Sequence, residues 1–510
     1  MTGRTLTESY GYDAASNRTS FTDPESGVTN YNYDTLNRMT GLMDFNGGAF
    51  YFSYDALGRR TSLARPNGVS TSYQYDALSR LLSILHQSSA FNGGTTYAYD
   101  AAGNRTSRMD TFQLTGQSPT ATTTSYGYDQ IYELTQAVVN GTPAESYTYD
   151  AVGNRLSSLG IPSYSYNSSN ELTSASPATF TYDANGNMTG KTAPNGTTTY
   201  AWDFENRLTS VTVPKGTVLH YQYDPFGRRI FSDGTGRIFV YDGDNVIENL
   251  DLTGKVVARY TQGLGIDEPL EVFGSGASSY YEADGLGSIT SLTSASGAVA
   301  NTYNYDSFGN QTASTGSVSN RFYFTARENV AKTGLLYYRA RYYDPSVGRF
   351  LNEDPAELSG GDINVYRYVS DDPVDWIDPD GLGKQRGGQG KGERKQTGRP
   401  EGTPNPAKHA RPSKQKPGCW EVKDPHTGKW VVKPPGWVPY AITDFELQMH
   451  LMSAQYMQQF WTDILVGDAV TGAVGIGGAI GGVVAGPALV PASAPAATSG
   501  VFQLAPVLLF

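Results

Sequence analysis

Cysteine and histidine are nearly absent from this chain of 510 residues, which contains one cysteine, Cys419, and five histidines. A single cysteine excludes an intramolecular disulfide framework and a cysteine-based zinc cluster. The five scattered histidines argue against a histidine-rich metal site, so we expect neither a metal nor another cofactor. Charged residues are also sparse, at 17% of the chain, whereas about a quarter is usual.

An apolar leader is missing as well. Met1 continues through Arg4 directly into a tyrosine-containing strand pattern, without the apolar stretch that a secretory signal needs. We therefore expect that the chain is exported by another route or is the tail of a longer chain.

Tyrosine and glycine are abundant instead. The sequence holds 36 Tyr and 58 Gly, against 20 Phe and 6 Trp. Tyr, Thr and Gly favour short strands joined by tight turns, whereas a coiled coil or a helical solenoid would be rich in Ala, Glu, Lys and Leu. The composition therefore predicts a largely all-β protein.

One phrase recurs along the chain with its Tyr, Asp, Gly and Arg in fixed order. It has the form Tyr-x-Tyr-Asp-x-x-Gly-Arg, or the same with Asn before Arg, and Phe replaces the first Tyr in some copies. The motif Asp falls at positions 13, 34, 55 and 76, three steps of 21 residues, so the phrase marks a structural repeat. The copies start at Tyr10, Tyr31, Phe52, Tyr73, Tyr97, Tyr126, Tyr147, Tyr164, Phe180, Tyr200, Tyr221, Phe239 and Tyr303.

Each copy predicts a strand that ends in a tight turn. In one copy, Tyr97 and Tyr99 lie on one face of a strand because they are spaced by two. Asp100 then begins the turn, since its side chain can bond backbone amides two residues on, and Gly103 supplies a positive φ. Asn-Gly pairs predict a second turn per repeat, so each repeat is one β-hairpin. These pairs are Asn46-Gly47, Asn67-Gly68, Asn92-Gly93, Asn140-Gly141 and Asn195-Gly196.

We interpret the tyrosines of the repeat as structural rather than ligand-binding, because cross-strand aromatic pairs stabilise adjacent strands. The phrase resembles the YD repeat of the rearrangement-hotspot (RHS) proteins, of the C components of insecticidal toxin complexes and of the teneurins. The resemblance covers residues 9 to about 382. It implies a spiralling sheet of β-hairpins, here residues 1–260, that forms a hollow or partial shell.

Residues 261–382 resemble the RHS repeat-associated core that ends such a shell. The segments that carry the resemblance are 263–270, 284–288, 334–345 and 378–382. The last of them, Asp-Pro-Asp-Gly-Leu, has the form of the family's self-cleavage motif. Two positions depart from the family: Ala326 stands where Gly is usual, and Asp371 precedes Asp372 where Asn is common.

Four Asp-Pro dipeptides lie in this core. Asp-Pro begins turns and Pro ends strands, and we interpret Asp344 and Asp372 in that way. For Asp354 and Asp378 the resemblance implies catalysis instead. Two carboxylates held near each other do not both ionise easily, so one keeps a proton while the other acts as a base toward water.

The resemblance also implies a role for each site residue. Arg341 and Asp354 match the family's essential Arg and Asp, Asp378 supplies the second carboxylate, and the cut falls between Leu382 and Gly383. Arg341 would hold Asp354 ionised or orient it through a bidentate pair. The activity implied is a single cleavage in cis, like that of an aspartic protease.

The composition changes abruptly after Leu382, where shell proteins of this family release a variable C-terminal region. Residues 383–510 contain 13 Lys+Arg and 8 Asp+Glu, a net charge of 13 − 8 = +5, although the whole chain carries −11. Residues 383–418 hold no large apolar residue, which predicts a basic disordered linker. A nucleic-acid-binding arm is the alternative, and it is less favoured because no aromatics are interleaved with the basic residues.

Residues 419–510 predict a small, mainly α-helical cargo region that opens with a β-unit around Trp420 and Trp430. Thr443 and Glu446 form a capping box before an amphipathic helical face. The uncharged segment 469–490 has 22 residues, seven of them Gly, and is long enough to span a bilayer. The alternatives for this segment are a buried Gly- and Ala-rich hairpin or an unstructured tail.

Three classes of function follow. The resemblance implies a secreted or cell-surface bacterial shell protein that encloses a toxin and releases it by autoproteolysis after Leu382. Its partners would be an immunity protein, secretion machinery and, through residues 469–490, a membrane. The alternatives are a YD-repeat adhesion or scaffold protein without toxicity, and a cargo that targets nucleic acid, although we expect no nucleic-acid binding by the shell itself.

Overall fold

The structure is a computed structural model that describes residues 6–387 and three further strands, Ala410–Pro412, Trp420–Lys423 and Trp430–Val432. The chain divides into two compact units, the first formed by residues 1–394 and 500–510 and the second by residues 395–499. The predicted all-β class is confirmed, because the described residues form antiparallel sheets with only three short 3-10 helices.

The first sheet has 14 strands, each paired antiparallel with the next one along the chain. They are β1 (Ser9–Tyr12), β2 (Arg18–Thr22), β3 (Val28–Tyr33), β4 (Met39–Met43), β5 (Ala49–Tyr54), β6 (Arg60–Ala64), β7 (Ser70–Tyr75), β8 (Leu81–Gln87), β9 (Phe91–Tyr99), β10 (Arg105–Leu114), β11 (Thr120–Tyr128), β12 (Leu134–Val139), β13 (Thr142–Tyr149) and β14 (Arg155–Ser158).

The second sheet has 16 strands in the same consecutive order. They are β15 (Tyr164–Tyr166), β16 (Leu172–Ala175), β17 (Ala178–Tyr182), β18 (Met188–Ala193), β19 (Gly196–Trp202), β20 (Leu208–Thr212), β21 (Val218–Tyr223), β22 (Arg229–Ser232), β23 (Arg237–Asp242), β24 (Asn245–Leu250), β25 (Val256–Gln262), β26 (Pro269–Gly274), β27 (Ala277–Ala283), β28 (Ile289–Ser294), β29 (Val299–Tyr305) and β30 (Gln311–Thr315).

Smaller sheets follow. A four-stranded sheet contains β31 (Glu328–Val330), β32 (Leu335–Tyr338), β33 (Arg341–Asp344) and β34 (Arg349–Phe350), and a two-stranded sheet pairs β35 (Trp376–Ile377) with β36 (Gln385–Arg386). The 3-10 helices are Phe324–Ala326, Glu357–Gly360 and Val369–Asp371. The strands around Trp420 and Trp430 pair antiparallel, which confirms the predicted β-unit, whereas the predicted amphipathic helix and the segment 469–490 lie outside the described residues.

The YD repeat forms hairpins, as predicted. In the copy at Phe52, Asp55 Oδ1 accepts the backbone N–H groups of Leu57 and Arg59, each at 2.9 Å. Gly58, three residues after Asp55, adopts a φ of 81°. A residue with an L side chain enters this conformation only at a cost in free energy. The predicted positive φ of Gly103 is likewise present, at 96°.

In most copies, the second aromatic residue fastens one hairpin to the one before it. Tyr54 donates its hydroxyl to the Met39 carbonyl oxygen at 2.8 Å, and Tyr99 does the same to Leu81 at 2.7 Å. Trp202 uses its indole N–H toward Met188 at 2.7 Å. The first position of the phrase accepts Phe, but the second always carries a ring with a donor, which supports the structural interpretation of the tyrosines.

One predicted turn is wrong. Asn92 and Gly93 lie within β9 and pair with Gln87 and His86 of β8, so the chain reverses before Phe91 instead. The neighbouring strands decide this, because the long β9 pairs with β8 on one side and with β10 on the other. An Asn-Gly pair is therefore accommodated in an extended strand.

The arginine that ends many copies links consecutive turns. Arg38 pairs with Asp34 of its own turn at 2.6 Å, and its Nη1 donates to the Asp55 carbonyl oxygen of the next turn at 2.9 Å. Its guanidinium carbon also lies 5.0 Å from the centroid of the Tyr54 ring, within the range of a cation–π interaction. Each hairpin thus contacts mainly its neighbour, as is typical of repeat proteins.

The two large sheets also pack against each other. Their shared apolar cluster includes Phe50, Phe52 and Leu63 of the first sheet and Val240, Ile247 and Leu270 of the second. Buried polar pairs cross the same interface: Arg65 lies 2.9 Å from Glu282, and Asn67 donates to Thr293 at 2.9 Å. Side chains therefore fill the space between the sheets over these strands.

Candidate functional site

The three residues implied in catalysis come together in the structure. Arg341 begins β33, Asp354 follows β34, and Asp378 follows β35. Arg341 Nη2 lies 2.9 Å from Asp378 Oδ2 and 3.1 Å from Asp354 Oδ2. All three side chains are buried, so one guanidinium holds two carboxyl groups away from bulk water.

The chain around Leu382 and Gly383 passes directly through this cluster. Asp378 Oδ1 accepts the backbone N–H of Leu382 and that of Gly383, each at 3.1 Å. Arg341 Nε donates to the Gly381 carbonyl oxygen at 2.6 Å. The peptide bond implied as the cleavage site is therefore held by the same arginine and aspartate that the resemblance assigns to catalysis.

Burial controls the ionisation of both carboxyl groups. It raises the pKa of Asp354 and the pKa of Asp378 above the ordinary value, while Arg341 lowers both pKa values. Asp378 receives further stabilisation of its anion from the N–H groups of Leu382 and Gly383. Burial also lowers the pKa of Arg341, which the two carboxylates oppose. The site therefore favours one proton shared between two acids.

A small cavity lies next to these groups. Its volume is about 20 Å³, and Arg341, Asp354, Asp378 and Gly383 contribute to its lining. A polar space of this size accommodates about one water molecule. The arrangement therefore provides a place for a single water beside the two carboxyl groups and the Gly383 backbone.

Gly360 is a further part of the site that the sequence did not indicate. A Cβ atom at this residue would lie 2.7 Å from Asp354 Oδ2 and 3.2 Å from the Leu382 carbonyl oxygen. The absence of a side chain thus lets Asp354 and the Leu382 carbonyl oxygen approach the same point. Gly360 ends a short 3-10 helix and is followed by Gly361, and nothing in that local pattern signals a contact with residue 382.

Two other contacts hold Arg341 in place. Its Nη1 donates to the Val365 carbonyl oxygen at 3.0 Å, and its guanidinium carbon lies 3.6 Å from the centroid of the Phe350 ring. A planar guanidinium suits this combination of stacking and fixed hydrogen bonds better than an ammonium group does. Sequence reasoning missed both contacts, because they depend on how distant segments fold together.

The remaining Asp-Pro dipeptides serve the structure. Asp344 Oδ1 accepts the Ser346 N–H at 3.0 Å, and Oδ2 pairs with Lys191 at 2.7 Å. Asp372 is buried near Asp375, and burial raises the pKa of Asp372 to about 8. The turn interpretation of Asp344 is thus supported by its hydrogen bond.

The two departures from the family pattern have local consequences. Ala326 is buried with a φ of 54°, a left-handed conformation in which Gly would be less strained. Asp371 also has a positive φ, 55°, and accepts Arg367 Nε at 2.5 Å. Among the described residues, neither of the two forms a hydrogen bond or an ion pair with Asp354 or Asp378.

Strand pairing brackets the Leu382–Gly383 bond. Trp376 and Ile377 on one side pair with Arg386 and Gln385 on the other, so the segment between them forms a closed loop.

Within the part of the chain that is described, no helix is both long and apolar enough to cross a bilayer. The same part contains no group of three or more His, Cys, Asp or Glu side chains placed to hold a metal ion.

Comparison with known protein families agrees with this architecture, in which consecutive hairpins are followed by a buried cluster of Arg and Asp side chains. The sequence profile described as teneurin YD-shell matches residues 105–374, and the RHS repeat profile matches residues 54–90. These features define a YD-repeat shell protein. The chain belongs to the teneurin YD-shell family.

Individual relatives are toxin-type proteins. The chain is 33% identical over 273 residues to the tRNA3(Ser)-specific nuclease WapA of Bacillus spizizenii, covering 50% of this chain and 12% of that relative. It is 28% identical to the double-stranded DNA deaminase toxin A of Burkholderia cenocepacia, covering 56% of this chain and 22% of the relative. The chain thus spans less than a quarter of the length of either relative.

Solved structures share the fold. The crystal structure of TcdB2-TccC3-Cdc42 superposes with a TM-score of 0.62 at 20% identity, over 74% of this chain and 22% of the other. The Photorhabdus luminescens Tc holotoxin pore gives a TM-score of 0.56, also at 20% identity, over 74% of this chain and 21% of the other. At such identity the likeness concerns the fold alone.

Proposed function

We propose that this chain is a toxin-type YD-shell segment that cuts itself between Leu382 and Gly383 and so separates residues 383–510 from the shell. The observation that carries the proposal is the position of Asp378, whose Oδ1 accepts the N–H groups on both sides of Leu382. Relatives whose names describe nucleases and a deaminase toxin support the toxin class.

The geometry supports distinct roles for the two acids. Asp378 is the carboxylate, because Arg341 and two backbone amides stabilise its anion. It accepts a proton from the water in the cavity as the water oxygen bonds to the Leu382 carbonyl carbon. Asp354 holds the shared proton and donates it to the developing oxyanion, since Asp354 and the Leu382 carbonyl oxygen both lie near Gly360.

Collapse of the tetrahedral intermediate formed in this way completes the reaction. The bond between the Leu382 carbonyl carbon and the Gly383 nitrogen breaks, Asp378 returns its proton to that nitrogen at 3.1 Å, and the hydroxyl group formed from the Leu382 carbonyl oxygen gives its proton back to Asp354. The products are a carboxyl group on Leu382 and an amino group on Gly383, with one water consumed. Each chain cuts once, because its substrate is its own loop.

Expression of the full chain tests the proposal. Wild type is expected to yield two fragments on a denaturing gel, the smaller one beginning at Gly383 by amino-terminal sequencing. Asp354→Asn and Asp378→Asn should remain whole, whereas the matched Asp-Pro variant Asp344→Asn should cut normally, because Asp344 contacts Lys191 and Ser346 instead. An intact wild-type chain would refute self-cleavage and favour the adhesion or scaffold alternative.

The released region is proposed to act on a membrane. Residues 469–490 are uncharged and hold seven Gly with small-residue spacing, a pattern that lets membrane helices approach closely. Dye leakage from liposomes containing anionic lipid should occur with fragment 383–510 and not with fragment 383–468. Intact vesicles at high concentration of the longer fragment, together with degradation or deamination of nucleic acid, would instead favour a nucleic-acid-targeting cargo like those named in the relatives.

A toxin of this kind needs protection and delivery. We therefore propose an immunity protein that neutralises residues 383–510 and a secretion route that delivers the shell outside the producing cell. Inducible expression of residues 383–510 should arrest growth, and co-expression of the genomic neighbour of this gene should restore it. Normal growth with the fragment expressed would argue against toxicity.

A further inference from the structure

A notch opens between two consecutive turns of the first sheet, where the repeat carries Glu133 at a position that the other copies in this sheet fill with Arg or Asn. It has a volume of about 350 Å³ and is formed by the turn 129–133 together with Tyr149, Asp150 and Ala151 of the next repeat. Tyr149 lies directly before the motif Asp150, as Tyr54 lies before Asp55 in the copy described above. The notch therefore lies between two consecutive turns, beside the second aromatic ring of the repeat.

In five other copies, a guanidinium group occupies this position. Each of these arginines pairs with the Asp of its own turn at 2.6 or 2.7 Å and lies 4.8 to 5.3 Å from the ring of the following repeat. Four of them also donate to a carbonyl oxygen of the next turn at 2.7 to 3.0 Å. They are Arg38, Arg59, Arg80, Arg207 and Arg228.

The repeat at Asp129 has Glu133 in place of this arginine. Glu133 is only 2% exposed, because its carboxyl group turns inward, accepts Arg367 Nη2 at 2.6 Å and hydrogen-bonds Asp129. Arg367 in turn pairs with Asp371 at 2.5 Å, so its charge is balanced by acids on its own segment. The position taken by a guanidinium in those five copies is left open between Asp129 and Tyr149.

We propose that this notch binds an alkylguanidinium group supplied in trans, as on an arginine side chain of a second polypeptide. The bound group would stack on Tyr149, donate to the Asp150 carbonyl oxygen and pair with the Asp129 carboxylate. These are the three kinds of contact that Arg38, Arg59, Arg80 and Arg228 make in their own copies. The flat, forked guanidinium fits them better than the compact ammonium of lysine.

Saturation-transfer NMR with the full chain tests this site. The probes are the pentapeptide Gly-Gly-Arg-Gly-Gly, agmatine, and the same pentapeptide with neutral citrulline in place of arginine. Both guanidinium probes should bind, and the citrulline peptide should bind at least tenfold more weakly. Tighter binding of the peptide assigns the site to a polypeptide partner, and tighter binding of agmatine assigns it to a small guanidine.

Substitutions locate the binding in the notch. Glu133→Arg supplies the missing arginine internally and should weaken binding of both probes at least tenfold, whereas Glu133→Gln keeps an acceptor for Arg367 and should bind as wild type does. If Glu133→Arg does not fold, the pair Tyr149→Leu and Tyr149→Phe serves instead, with loss expected only for Leu. Undiminished binding to Glu133→Arg or to Tyr149→Leu, or equal binding of the citrulline peptide, would overturn the proposal.

Discussion

Asp378 accepts the Gly383 N–H at 3.1 Å, so a carboxyl group lies against the nitrogen that self-cleavage would convert to a new amino terminus. A base this close to the leaving nitrogen needs no movement of the backbone to return a proton to it.

The rate of cleavage should depend on pH with two limbs. Asp378 must be ionised, so the rate falls as pH drops below its pKa, and Asp354 must be protonated, so the rate falls as pH rises above its pKa. Because burial raises both pKa values, both limbs should lie above the ordinary carboxyl value near 4. Refolding the denatured chain at a series of pH values and timing the appearance of fragments measures this profile. A rate that stays constant from pH 3 to pH 9 would contradict it.

Gly360→Ala should stop cleavage without unfolding the shell. The added Cβ would lie 2.7 Å from Asp354 Oδ2, tighter than normal van der Waals contact, so the acid and the Leu382 carbonyl oxygen would be pushed apart. Misplacement of a reacting group by about 1 Å costs on the order of 100-fold in rate. The matched control is Ser359→Ala. Gly361→Ala is not suitable as a control, because Gly361 has a φ of 84° that an alanine would adopt only with strain. Equal cleavage by wild type and Gly360→Ala would remove Gly360 from the site.

Arg341→Lys should slow cleavage by about 100-fold, the usual effect of losing one preorganised donor. Lysine keeps the positive charge but cannot donate at once to Gly381, Val365 and Asp378, as Arg341 does. Circular dichroism should show an unchanged β spectrum, and the gel assay should show slow conversion. Wild-type kinetics in this variant would mean that charge alone is sufficient.

The stability of the two-sheet interface should fall as pH rises from about 4.5 to about 8. Burial and a hydrogen bond to Asp44 raise the pKa of Glu271 from 4.5 to about 8. The folded chain therefore keeps a proton that the unfolded chain loses above pH 4.5, so stability is greatest below pH 4.5 for this group and declines as pH rises toward 8. The slope is at most about 1.4 kcal/mol per pH unit.

Glu271→Gln should remove this slope, because Gln retains a donor for Asp44 but cannot ionise. Denaturant unfolding at pH 5, 7 and 9 measures the effect. Glu205→Gln, at an exposed position paired with Arg207, is the control and should leave the slope in place. A slope that persists in Glu271→Gln would assign the pH dependence to another group.

The hairpins could be predicted from the sequence because each turn is decided within five residues. Asp55 bonds to the amides two and four positions ahead and to the guanidinium of Arg59, so the phrase itself contains these interactions. The same local reasoning failed at Asn92, where pairing with neighbouring strands overrode the turn preference of an Asn-Gly pair. The packing of Arg65 against Glu282 was not accessible either, since no local pattern relates residues on two different sheets.

The candidate site was predicted only in part. The identities of Arg341, Asp354 and Asp378 came from the resemblance to a family, and the structure places both carboxyl groups about 3 Å from the Arg341 guanidinium. Gly360 was not predicted, because its contribution is a missing side chain. The notch at Glu133 was also not predicted, although the sequence shows an acidic residue at a repeat position that holds Arg in five copies and Asn in five others.

The pairing of β35 with β36 would separate hydrolysis from dissociation in time. Trp376 pairs with Arg386 across the bond to be cut, Arg386 donates to the Gly103 carbonyl oxygen, and Lys384 Nζ lies 5.0 Å from the centroid of the Trp376 ring. None of these contacts depends on an intact Leu382–Gly383 bond. A nicked molecule would therefore retain its tail under native conditions, and the lifetime of that nicked complex, rather than the speed of the cut, would set when the cargo becomes free.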